Sequence, residues 1–113
     1  MELKEFVREV EEALKSLPKE FSEKLKNIEI LIDAEPPKQE GSLLLGLYQG
    51  VPLNDRSATF EPLMPDKITL YKQALEIVSK SPEDLRKNIR DTVVHEIGHY
   101  FGFNEKDIRR RGY

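Results

Sequence analysis

"SPEDLRKNIRDTVVHEIGHYFGF", residues 81–103, carries the densest local signals in the chain. Ser81 has the short polar side chain of a helix N-cap, and Pro82 suits the first helical position. Asp84 completes a capping-box-like S-x-x-D. Leu85, Ile89, Val93, Ile97, Tyr100 and Phe101 fill one broad sector at helical spacing, which must face a core. Gly102 stands where a helix ends in a left-handed residue. Together these features predict a helix from about Pro82 to Phe101. In a chain of 113 residues a helix that long sets the frame on which the rest packs.

Upstream, residues 2–17 place Phe6, Val7, Val10, Leu14 and Leu17 at helical spacing among Glu and Lys, and Pro18 stops that helix. "KEFSEKLKN" (19–27) continues as a short helical turn with Phe21 and Leu25 inward. "IEILID" (28–33) alternates Ile28, Ile30 and Ile32 with other residues and reads as a strand. "AEPPKQEGS" (34–42) is a loop, because two prolines and a glycine forbid regular pairing. "LLLGLY" (43–48) is an apolar run of strand length. Residues 49–66 contain Gly50, Pro52, Pro62 and Pro65 and form a long irregular connection, of a kind that often serves function. "KITLYK" (67–72) is a further strand, and "QALEIVSK" (73–80) fits either an extended or a helical continuation. The sequence expectation is one α+β domain over residues 1–113, with N-terminal helices, a small mixed sheet and the long C-terminal helix.

Charged residues make up 35% of the chain, against roughly 25% in an average soluble protein. They are mixed in sign and sum to −3, so neither nucleic acid nor a membrane is expected as a partner. "RRR" at 109–111 reads as a solvated basic tail. There are no cysteines, which leaves only nitrogen and oxygen ligands for any metal. The N-terminus "MELKEFVREVEEALKSL" has no apolar h-region, and no run approaches a membrane span, so the expected address is the cytoplasm.

Both histidines of the protein lie on the predicted long helix, at 95 and 99. Dropped at random into 113 residues, two histidines would stand four apart roughly 2% of the time. On a helix they lie about 40° apart, one turn above the other, and can share one tetrahedral metal. Glu96 falls about 100° further round, placed to reach a water on the metal rather than the metal itself. This is H-E-x-x-H, in which the histidines bind zinc and the glutamate is the general base.

A catalytic zinc takes three protein ligands and an open position. Only 14 residues follow His99, too few for a ligand on a distant downstream helix. Gly102 lets the chain leave the helix through positive φ and double back. Glu105 is then the expected third ligand, giving H-E-x-x-H-x-x-G-x-x-E, with Asp107 as its alternative.

With these residues in view, the chain resembles the short bacterial zincin-like metallopeptidases, or minimal zincins. The likeness extends through "LPKEFSEKLKNIEILIDAEP", "LLGLYQGVPLNDRS", "DKITLYKQALE" and "RDTVVHEIGHYFGFNE". It implies a pared-down zincin fold, one zinc ion, and cleavage of a peptide or protein substrate. Carried over, His95 and His99 match the metal-binding histidines and Glu96 the catalytic glutamate. Glu105 matches a position that is typically aspartate in the family. The extra methylene changes how the carboxylate binds or passes the role to Asp107. Tyr100 stands where many members carry another histidine.

The expected chemistry is zinc-assisted amide hydrolysis with Glu96 handling the proton. A further oxyanion donor is usual in such sites, and Tyr48, Tyr71 and Tyr113 are the candidates. So small a domain has few residues to wall a cleft, which suits short peptides or a partner protein that completes the site. Two other readings stay open. A metal-dependent ribonuclease is disfavoured by Glu96 and by the negative net charge. A non-catalytic module would use the metal only as a brace. Two imidazoles and a carboxylate also match the ligand set of iron(II) oxygenases.

Overall fold

The ends of the predicted long helix fall where its caps dictate. The computed structural model describes residues 1–25, 27–35, 43–52, 65–104, 106 and 110. In it this helix, α4, spans Pro82–Tyr100. The Ser81 hydroxyl accepts the Asp84 N–H at 3.0 Å. The Asp84 carboxylate accepts the N–H of Lys80 at 2.9 Å, one residue earlier than a standard capping box. At the other end the Gly102 N–H donates to the His99 carbonyl and the Phe103 N–H to the Gly98 carbonyl, both at 2.9 Å. Gly102 has φ 87°. That pair of bonds with a left-handed glycine is a Schellman turn, and it answers the helix's last carbonyls.

The remaining described elements are α1 (Leu3–Lys15), α2 (Lys19–Ser22), β1 (Ile28–Asp33), β2 (Gly46–Gln49), β3 (Asp66–Tyr71) and α3 (Lys72–Val78). The three strands form one mixed sheet in the order β1-β3-β2. β1 runs parallel to β3, with Ile28 opposite Asp66. β2 runs antiparallel to it, with Gly46 opposite Leu70 and Gln49 opposite Lys67. The fold is α+β, as the order of N-terminal helices, a run of strands and a long C-terminal helix implies.

α4 packs on α1, β2 and β3. Leu85, Ile89, Val93 and Ile97, four residues apart, meet Phe6, Val10, Ala13 and Leu17 from the N-terminal segment. Ile68 and Leu70 of β3 and Leu75 of α3 close the core. Ile89 and Val93 are fully enclosed, and burial of such side chains contributes about 1.5–3 kcal/mol each.

Three expectations shift. Val7 is 37% exposed while Ala13 is fully buried. The inward stripe of α1 is therefore 6, 10 and 13, continued by Leu17 just beyond it, and Val7 lies about 100° off it. β2 starts at Gly46, not Leu43, because β3 turns directly into α3 at Lys72 and leaves Leu43 and Leu44 without a strand partner. The segment after β3 becomes helical at once, with Ala74 and Leu75 buried, which decides between the two readings of "QALEIVSK". Among the described residues no helix is long and apolar enough to cross a membrane.

Candidate metal centre

The capped frame of α4 carries His95 and His99 one turn apart near its C-terminal end. Their ring centroids lie 4.9 Å apart with 83° between planes. Both imidazoles are half-buried, whereas Glu96 is only 8% exposed. One donor atom from each of His95, Glu96 and His99 can be chosen so that all lie within 4.8 Å of one another. His95 and His99, one helical turn apart, are placed to share one tetrahedral ion, with the Glu96 carboxylate close enough to reach a water on it. Two imidazoles with a nearby carboxylate base suit zinc chemistry, without thiolates and with room for a substrate.

That room lies between α4 and β2. A cavity of about 510 Å³ is lined by Glu96, His99, Leu47, Tyr48, Phe103 and Asn104, among others. A second, of about 350 Å³, lies on the His95 side with Asn88, Asp91 and Thr92. Gly46 and Glu96 border both, so the two hollows meet over the glutamate. β2 is an edge of the sheet among the described strands, and it forms the cleft's wall opposite α4.

Gly46 is what allows so close an approach. A Cβ there would meet Thr92 Cγ2 at 2.8 Å, Glu96 Cγ at 3.3 Å and the Thr69 carbonyl at 3.3 Å. Neither the threonine methyl nor the backbone oxygen can swing away cheaply. Gly46→Ala is therefore expected to push β2 from α4 and cost about 1–3 kcal/mol, checked by urea unfolding. Wild-type stability would contradict that close packing. The interrupted run "LLLGLY" is the only sequence signal for this role, and by itself it reads as strand.

The tyrosine candidates separate. Tyr48 lines the cleft, and its hydroxyl donates to Asp66 Oδ2 at 2.6 Å. Asp66 is 5% exposed at the start of β3, a buried carboxylate with no distinguishing mark in the sequence. Tyr71 is buried and does not line the cavity at His99; desolvation, then the charge of Asp33, pushes its phenol above the ordinary value. Tyr113, Glu105 and Asp107 lie outside the described residues.

A helix-borne H-E-x-x-H beneath an edge strand of a small mixed sheet defines a zincin-type centre. The chain belongs to the zincin-like metallopeptidase family, whose profile matches residues 25–113. It is also similar to the solved structure of a conserved hypothetical protein from Thermus thermophilus. The two share 28% identity over 89% of this chain and 94% of that one, with a TM-score of 0.63. Among functionally curated proteins no match is significant.

Proposed function

We propose that the protein is a zinc-dependent metallopeptidase acting in the cytoplasm, with His95, His99 and Glu105 holding one zinc ion and Glu96 as general base. The observation that carries this reading is the convergence of His95, Glu96 and His99 at the edge of an open cleft. A bound zinc supplies Lewis acidity and lowers the pKa of water to about 7. The imidazoles of His95 and His99 would hold the ion against the C-terminal half of α4. Glu96, held between α4 and Gly46, takes the proton from the attacking water and returns it to the leaving amine. Its burial keeps the carboxylate oriented and its proton transfers short. The outer edge of β2 offers backbone donors and acceptors to an extended peptide, which would lie over Glu96. A partner protein that covers the open side of the cleft would add to that hold.

Zinc-loaded protein incubated with a mixed peptide library is expected to generate new termini that chelation abolishes. A library left wholly intact by protein carrying stoichiometric zinc would sink the peptidase reading. The metal would then serve as a structural brace.

A further inference from the structure

The family profile begins at residue 25, yet two contacts tie the segment just before it to the end of α4. Phe21, on α2, sets its ring 5.0 Å from that of Phe101 and 6.2 Å from that of Phe103, the latter edge-on at 89°. Phe101 and Phe103 are themselves 6.3 Å apart, so each of the three rings lies against the other two. The space among them, Leu17, Ile97 and Gly98 leaves only about 10 Å³ free, room for one water at most. Beside it, the buried Tyr100 donates its hydroxyl to the Lys24 carbonyl at 3.3 Å.

Phe103 is the pivotal residue. One side of it closes this cluster, and another lines the cleft beside Glu96 and His99. Its backbone N–H makes the outer bond of the Schellman turn that carries the chain away from His99. A turn held by two backbone hydrogen bonds at a helix end frays readily unless a side chain pins it. In α2, four residues long with no fully buried side chain, Phe21 is the group whose ring reaches Phe103.

We propose that Phe21 is a positioning residue of the metal site: packed on Phe103, it holds the turn at Gly102 and Phe103 that ends the histidine-bearing helix, and so raises the zinc affinity of the site. This rests on the zinc site proposed above, in which a ligand follows that turn. Phe21 touches no metal and no substrate; it acts through Phe103. The N-terminal segment is thereby part of what makes the site bind.

The test is the zinc dissociation constant, measured by competition with a chromophoric chelator on the full chain, for the wild type and four variants. Phe21→Ala is expected to weaken zinc about ten-fold or more, the scale on which supporting groups around metal sites act. Phe21→Leu is expected to fall between, and Phe21→Tyr, which keeps the ring, to bind like the wild type. Val10→Ala, a core change in α1 away from Phe103, lowers stability but should leave zinc affinity within about two-fold. If Phe21→Ala does not fold, the comparison of Leu with Tyr decides, with weaker binding by Leu expected. Equal affinity across the Phe21 series, or equal weakening by Val10→Ala, overturns the positioning role while leaving the zinc site intact. A wild type that binds no zinc overturns the site itself.

Discussion

Replacing Glu96 with glutamine is expected to leave zinc binding within a few-fold of the wild type and to cut peptide turnover by about 10²–10⁴, the usual contribution of a general base. The side chains have the same length and shape, so the packing under Gly46 survives. What disappears is the basic oxygen. Glu96 is nearly enclosed, 8% exposed, and flanked by both imidazoles, so no bulk carboxylate substitutes for it. The effect should fall on kcat, because the proton transfer belongs to the transition state rather than to binding. Steady-state rates on a cleaved peptide, with zinc content measured on the same samples, give the result. A glutamine variant that loses its zinc would make Glu96 a ligand. One that turns over normally would remove it from the chemistry.

The second large effect is on the metal. His99→Ala deletes one of two imidazoles, and zinc affinity is expected to fall by at least about 100-fold. Structural zinc sites are worth about 10–16 kcal/mol over four ligands, or roughly 3 kcal/mol for each. The half-buried ring contributes little to the core of Leu85, Ile89, Val93 and Ile97, so the fold should persist. Circular dichroism and chelator competition on the same preparation separate the two. A folded variant that binds zinc as tightly as the wild type would exclude His99 as a ligand.

The parts of the structure legible in the sequence are those encoded by neighbouring residues. Ser81, Pro82 and Asp84 start α4, Gly102 ends it, and four-residue spacing sets its buried face. The alternation in residues 28–33 gives β1 with its bounds unchanged. Long-range pairing is not legible in this way. The extent of β2 depends on where β3 gives way to α3, and nothing within "LLLGLY" records that. Likewise, four-residue spacing places His95 and His99 together, and helical angle places Glu96 beside them. The glycine that lets β2 press on Glu96, and the Asp66 carboxylate behind Tyr48, come from segments far away in the chain. Sequence periodicity cannot report which strand lies over which helix. The aromatic cluster is intermediate: the pattern turns Phe21 inward, but its partners at 101 and 103 emerge only from the turn at Gly102.

Metal analysis of the chain purified without added metal, combined with X-ray absorption at the zinc edge, addresses the site most directly. One zinc ion per chain, with two imidazole nitrogens and oxygen donors in its shell and loss of the ion on His99→Ala, is the predicted result. A chain that takes up no zinc from a stoichiometric supply, or one that retains it after both His95 and His99 are replaced, would contradict a metal centre on α4.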